Sequence, residues 1–239
     1  MRGVADPATM AARDVTPGQF LSDAFIDGCV QAVDMQAALP WPEPPIHGDT
    51  IWMGTADSAG RMVSYIQSVY WEFGSGVVLA DTGIVWQNRG SSFQLDPASH
   101  IALAPHKKPF HTLNPAHARF DDGRHMVYGN MGGDGQPQSQ SAVFSRYAMF
   151  GQTLQAAVSA PRWLLGKTWG ENSVTLKLED RFDPAVVQAL KDAGHDVELV
   201  APMTSMMGHA GALLRHPDGR LEGAFDPRSD GAVASVSAL

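Results

Sequence analysis

The sequence predicts an α+β fold in which packed sheets are covered by helices. Three observations carry that expectation. Strand-like runs come in hairpin pairs, first at 51–69 and last at 210–225. Helical patterns gather between them, at 138–150, 154–159 and 184–193. The 239 residues are 44% hydrophobic, which suits one domain or a large part of one with a real core. Pattern alone does not fix how the layers stack.

Residues 1–19 are small and polar, contain Pro7 and Pro17, and read as a loop. From Phe20 to Ala38, Leu21, Phe25, Ile26, Val30, Val33 and Ala37 recur at helical spacing, with Ser22 and Asp23 as caps near the start. Pro40 to Pro45 form a stiff connector that leads to Asp49. Ile51–Ala56 and Met62–Val69 make a strand pair across the turn Asp57-Ser58-Ala59-Gly60. Val77–Leu79 and Ile84–Trp86 are expected to continue that sheet. Gly74 and Gly76 flank Ser75 where the backbone must turn sharply or approach something closely. Residues 87–108 form a long polar loop of the kind that often carries function.

His111–Phe120 and Met126–Tyr128 read as strands. The glycine-rich turn 129–137 then opens a helix over Gln138–Phe150, with Pro137 suited to its first turn. Such a turn presents backbone N–H groups that can hold an anion, but it lacks the Gly-Lys-Ser or Gly-Lys-Thr of a phosphate loop. Leu154–Ser159 is a short helix, Pro184–Ala193 a longer one closed by Gly194, and Val197–Val200 a strand. Ala210–Arg215 and Arg220–Phe225 pair over Asp218-Gly219.

Lys and Arg number 17 against 25 Asp and Glu, a net charge of −8, which argues against a nucleic-acid partner. The single cysteine, Cys29, excludes an intrachain disulfide and a cysteine-rich metal site, and reads as a buried core thiol. His106, His111 and His117 lack a metal spacing. His106 and His117 read as surface residues, and His209 as pocket-lining or packing. Trp163 and Trp169 read as core or interface residues. No metal and no cofactor are expected. No stretch is apolar enough to cross a membrane, and Met1–Pro7 is not followed by the hydrophobic region of a secretory signal, which fits the cytoplasm.

Several separated signposts in fixed order resemble the C-terminal, small-subunit part of the gamma-glutamyltranspeptidase family. They are Gly48-Asp49-Thr50, Phe73-Gly74-Ser75-Gly76-Val77-Val78, Thr82-Gly83-Ile84, Lys108-Pro109, Asn114-Pro115, Gly132-Gly133, Ala160-Pro161-Arg162 and Asp226-Pro227-Arg228. Read alone, Thr50 is an ordinary strand threonine. The resemblance implies an N-terminal nucleophile hydrolase that cuts its own chain between Asp49 and Thr50, with a four-layer α-β-β-α sandwich. Residues 1–49 are then the end of a large subunit with its linker, strained or mobile near Asp49. Residues 50–239 are the catalytic region. The missing large-subunit region or self-association supplies the partner. Because family members are often exported, a periplasmic or secreted location follows if an upstream signal has been lost.

Freed by cleavage, Thr50 combines a nucleophilic hydroxyl with an α-amine of reference pKa about 7.7–8.0, able to take the proton near neutral pH. The resemblance makes Ser68 a supporting hydroxyl and Gly132 and Gly133 the oxyanion donors. Losing one such donor typically costs about 3 kcal/mol of barrier stabilisation. The substrate pocket departs from the family. Tyr70 stands where gamma-glutamyl enzymes carry asparagine, Arg89 where they carry glutamine or another polar residue, and Ser92 where an aspartate grips the substrate amine. His111 and Thr112 replace two serines that meet the substrate carboxylate. Asn88-Arg89-Gly90 and Gly133-Asp134-Gly135-Gln136-Pro137-Gln138 are similar to the oxamate amidohydrolase-like branch. The expectation is hydrolysis of a small amide through an acyl-threonine. Gamma-glutamyl hydrolysis or transfer is the alternative, and an inactive fragment that only assembles is the rival. Asp226, Arg228 and Asp230 read as a buried ion-pair network.

Overall fold

The structure is a computed structural model, and it describes residues 16–31, 33–34, 36–37, 49–71, 73–166 and 173–236. Residues 1–15 of the loop expected over 1–19, the whole Pro40–Pro45 connector and Trp169 lie outside these residues.

Strands β1 (Asp49–Ala56) and β2 (Met62–Tyr70) pair antiparallel, with Trp52 opposite Ile66 and Met53 opposite Tyr65. They pack on a second sheet made of β5 (Ala116–Arg119), β6 (His125–Met131), β10 (His209–Arg215) and β11 (Leu221–Phe225), in the order β11-β10-β6-β5. The two-residue alternation of β6 and β10 explains the layering. Met126, Ala210, Ala212 and Leu214 point one way, into a core with Val143, Leu154 and Val158 from the overlying helices. Gly129 and Gly211, paired across β6 and β10, point the other way, toward β1.

The Trp52 ring fills the space these glycines leave. A Cβ at Gly129 would lie 2.0 Å from it, one at Gly211 2.5 Å and one at Gly54 2.6 Å. Its indole Nε1 donates to Ser64 Oγ at 3.0 Å, and Ser64 Oγ donates to Tyr128 O at 3.3 Å. One aromatic ring and a patch without side chains thus hold the two sheets together.

The helices over the second sheet are α3 (Gln136–Ala148) and α4 (Leu154–Ser159), the latter capped by Thr153, whose Oγ1 accepts from Ala156 N. A third sheet, β7 (Trp163–Leu165), β8 (Leu176–Glu179) and β9 (Val197–Val200), joins β8 and β9 in parallel through α5 (Pro184–Asp192). Leu176, Leu178 and Val187 form its core, with Trp163 packed against them. Asp183 caps α5, and Gly194 follows it at φ 92°, a left-handed stop that glycine adopts readily.

The structure corrects several expectations. The helix expected over Phe20–Ala38 is two pieces, α1 (Pro17–Phe20) and α2 (Asp23–Gln31). Between them Ser22 Oγ accepts from Phe25 N at 3.3 Å, so the caps act where the helix restarts. Cys29 on α2 is exposed, because that helix buries none of its side chains. The runs near 78 and 84 do not extend the first sheet. Among the described residues, β3 (Val78–Leu79) and β4 (Ile84–Val85) pair only with each other. Residues 111–115 are not strand, because side chains occupy their backbone groups: Leu113 N donates to His111 Nδ1, and Asn114 O accepts from Gln140. The network expected at the C-terminus leaves Asp230 exposed and takes in Arg162 and Glu179 instead.

Candidate active site

The site begins at an irregularity in the first hairpin. Thr50 pairs with Ser68, but Asp49 pairs with Tyr70, so Val69 is an extra residue opposite the Asp49–Thr50 bond. This is a β-bulge, and Tyr70 beyond it adopts φ 81°, a left-handed conformation unusual for a residue with a side chain. Thr50 is buried, and its Oγ1 donates to Ser68 Oγ at 3.0 Å. The same Ser68 oxygen accepts from Tyr70 N at 2.9 Å.

Thr50 borders a cavity of about 210 Å³ with Trp52, Met131, His209, Phe225 and Ser229. His209, whose role was open from the sequence, thus borders the nucleophile candidate's cavity. Met131 ends β6, and the next residues are Gly132 (φ 146°) and Gly133 (φ 51°), both buried. The turn is held from behind by Gly208, where any Cβ would lie 2.1 Å from Met131 O. Asn130 is fully buried beside these glycines, and its side-chain nitrogen and oxygen have no partner among the described residues.

Tyr70, Arg89 and Ser92 come together. The Arg89 guanidinium lies 3.7 Å from the centre of the Tyr70 ring, a cation–π contact in a largely desolvated place. Burial pushes the Tyr70 phenol up, against the opposing pull of the Ser92 hydroxyl and the Arg89 charge. Burial likewise lowers Arg89, while Tyr70 and Asp134 favour its charged form. Asp134, from the glycine turn, is therefore part of this electrostatic group, although the sequence reading gave it no role. His111 is held below the usual imidazole range by burial, then by Arg89 and Lys108. Since His111 Nδ1 accepts from Leu113 N at 3.2 Å, its neutral ring carries the proton on Nε2, facing away from the backbone as a donor. Thr112 is buried, with no hydrogen-bond partner for its Oγ1 among the described residues.

The start of α3 fixes this loop. With the Gln136 amide nitrogen turned inward, it lies 2.8 Å from Thr112 O, 2.7 Å from Asn114 Oδ1 and 3.2 Å from Asn130 O. Gln140 Nε2 donates to Asn114 O and Oδ1, both at 2.9 Å. Gln138 exchanges two hydrogen bonds with Leu165, and Ser139 donates to Met207 O. From the sequence, Gln136 and Pro137 belong to the glycine-rich turn and Gln138–Gln140 to the helix start, with Gly133–Gln138 a family likeness; in the structure the polar residues of 136–140 are joints.

Below lies the buried ion network. Arg162 Nη2 meets Asp226 Oδ2 at 2.5 Å, Arg228 Nη1 meets Asp226 Oδ1 at 3.0 Å, and Arg228 Nη2 meets Glu179 Oε2 at 2.6 Å. Asp226 also accepts from Ala210 N, while Arg162 Nη1 donates to Met207 O and Gly208 O. Burial draws Arg162 down to about 10 against the favourable field of Asp226, so it stays charged near neutrality. Glu179 was missed in the sequence; its signal is an acidic residue ending the apolar-flanked run Leu176-Lys177-Leu178-Glu179, which is buried throughout.

The gamma-glutamyltranspeptidase family pattern matches residues 1–236. The chain belongs to the gamma-glutamyltranspeptidase family. It is 57% identical over 231 residues to the oxamate amidohydrolase proenzyme of Klebsiella pneumoniae subsp. pneumoniae, covering 97% of this chain and 43% of that protein. It is 44% identical over 199 residues to the glutathione hydrolase-like YwrD proenzyme of Bacillus subtilis, covering 83% of this chain and 38% of that one. Among solved structures, cephalosporin acylase from Bacillus halodurans superposes with a TM-score of 0.80 at 35% identity, over 99% of this chain and 42% of that chain. Gamma-glutamyltranspeptidase from Pseudomonas nitroreducens shares the fold, with a TM-score of 0.64 at 24% identity over 78% of this chain and 99% of that chain. The chain spans well under half the length of the curated relatives it matches. No helix among the described residues is long and apolar enough to cross a membrane.

Proposed function

We propose that this gamma-glutamyltranspeptidase-family chain is the catalytic part of a self-cleaving amidohydrolase, with Thr50 as nucleophile. The observation that carries the reading is the Thr50–Ser68 hydroxyl pair at 3.0 Å, set at the bulge opposite the Asp49–Thr50 bond. In maturation Thr50 Oγ attacks the Asp49 carbonyl carbon. The C–N bond breaks, the nitrogen takes the proton to become the Thr50 α-amine, and water hydrolyses the resulting ester. Residues 1–49 then belong to the large-subunit side and 50–239 to the catalytic side.

In turnover the α-amine accepts the Oγ proton as Thr50 attacks the substrate amide, and Gly132 and Gly133 N–H groups face the developing oxyanion. The leaving amine departs protonated, and water releases the acyl group from Thr50. Tyr70, Arg89, Ser92, His111 and Thr112 line the acyl side. Arg89 receives a carboxylate and the His111 Nε2–H donates to a carbonyl. Ser92 carries no charge with which to hold a substrate α-ammonium, which favours a small amide acid over a gamma-glutamyl group. The relative named for oxamate makes that compound the first substrate to try.

A second reading is favoured by one observation. Ile51, Met53, Val63 and Tyr65 on the outward face of β1 and β2 are 44–54% exposed, and Leu21 and Val30 on the N-terminal segment more so. Surfaces of this kind mark an interface. A large-subunit region is their proposed occupant, and on this reading the chain only assembles with it and does not turn over.

The test is intact-mass spectrometry of the purified chain over several days beside T50A. Two fragments summing to the chain, the larger beginning at Thr50, are expected from the unmodified protein and none from T50A. A single uncut mass in both would sink the nucleophile assignment for this polypeptide. Ammonia release from oxamate by the cleaved protein would then separate amidohydrolase action from glutamyl transfer.

A further inference from the structure

The unusual backbone of Tyr70 is gripped from both sides by one neighbour. Asn88 N donates to Val69 O at 3.1 Å, and Asn88 Oδ1 accepts from Trp71 N at 3.1 Å. Between those two bonds sits Tyr70 at φ 81°. Arg89, the next residue after Asn88, covers the Tyr70 ring at 3.7 Å. Residues Arg89–Ser92 form a single 3-10 turn, with both Arg89 and Ser92 buried. The left-handed conformation directs Tyr70 N–H to Ser68 Oγ, the atom that also receives the Thr50 hydroxyl.

We propose that the Asn88–Ser92 turn is a positioning element for the nucleophile, with Asn88 its central residue. By holding the backbone on either side of Tyr70, the turn keeps the Tyr70 N–H on Ser68 Oγ, and this fixes the side-chain orientation in which Ser68 draws on the Thr50 hydroxyl. Asn88 acts through Tyr70 and Ser68: its hydrogen bonds go to the backbone of Val69 and Trp71. A non-glycine residue with positive φ is costly to hold and persists only where its surroundings over-determine it. Two backbone clamps and a stacked guanidinium are such surroundings. A consequence is that the turn carrying the pocket's arginine also sets the geometry of the self-cleavage step, before any substrate is present.

This inference rests on Thr50 being the nucleophile, so its test has one arm that needs no activity. In the uncut T50A background, hydrogen exchange of the Tyr70 amide is followed by NMR with and without N88A. N88A removes the Trp71 clamp and is expected to speed Tyr70 exchange at least tenfold. N88D keeps an oxygen acceptor at the same place and is expected to stay within about threefold. Unchanged Tyr70 exchange in N88A would overturn the proposal whether or not the protein cleaves. In the Thr50 protein, N88A is expected to slow Asp49–Thr50 cleavage at least tenfold with thermal unfolding nearly unchanged, and N88D to restore it. Faster exchange with cleavage still within twofold of the parent would also overturn the proposal. Absence of cleavage in the parent protein, with the exchange result as expected, would instead count against the nucleophile assignment and leave the clamp in place.

Discussion

The two faces of the β1–β2 hairpin are built on opposite principles. The inward face is specified by shape. Trp52 lies over Gly54, Gly129 and Gly211 with room for nothing larger, and its N–H has a partner in Ser64. The outward face carries Ile51, Met53, Val63 and Tyr65 in regular alternation, apolar enough for a core yet open to solvent. The same eight-residue strand therefore contains one surface whose complement is seen and one that no described residue covers. The nucleophile candidate at its start belongs to the inner, completed face. Among the described residues this leaves a β-β-α stack of the first sheet, the second sheet and α3 with α4, with the outer side of the first sheet bare.

Substitutions can break or sharpen that contrast. The largest effect is expected from W52A, which empties the space between two sheets; loss of a core tryptophan costs about 3–5 kcal/mol, and Trp52, which is partly buried, should fall toward the lower end. Chemical denaturation would read it, and a change under about 1 kcal/mol would mean that the glycine patch collapses onto the strand. S64A comes next. It leaves the indole N–H without its acceptor and removes the Ser64 hydroxyl from Tyr128 O, and should cost about 1–2 kcal/mol by the same measurement. Smallest is the outward pair M53T and V63T, expected to fall within about 0.5 kcal/mol in this chain. A loss of several kcal/mol there would show that the outer face is already covered, by self-association or otherwise.

Much of this was legible in the sequence, for definable reasons. Hairpins with short turns and amphipathic helices such as α4 declare themselves through local periodicity. Ser68 was singled out through the family resemblance, and the hairpin over Asp57–Gly60 only made it plausible that it could reach Thr50 on the neighbouring strand. What stayed hidden depends on contacts distant in sequence. Glu179 finds Arg228 across 49 positions, and Gly129 matters only because Trp52 lies on it. β7 and β8 are too short to show a period, and β8 is buried at every position, so alternation never appears. Cys29 was misplaced because helical spacing tells which side chains share a face, not whether anything packs against that face.

The three glutamines at the start of α3 have a broader implication. Gln136 and Gln140 both hold the 112–114 loop at Asn114, Gln136 also reaches the end of β6, and Gln138 holds the edge of β7. Polar residues on a helix are normally the freest to vary, and here they behave as mortises. Anyone grafting this pocket onto another scaffold would have to carry the helix start with it. Recoding those glutamines as solubilising charge would unfasten three segments at once while leaving every apolar core residue in place.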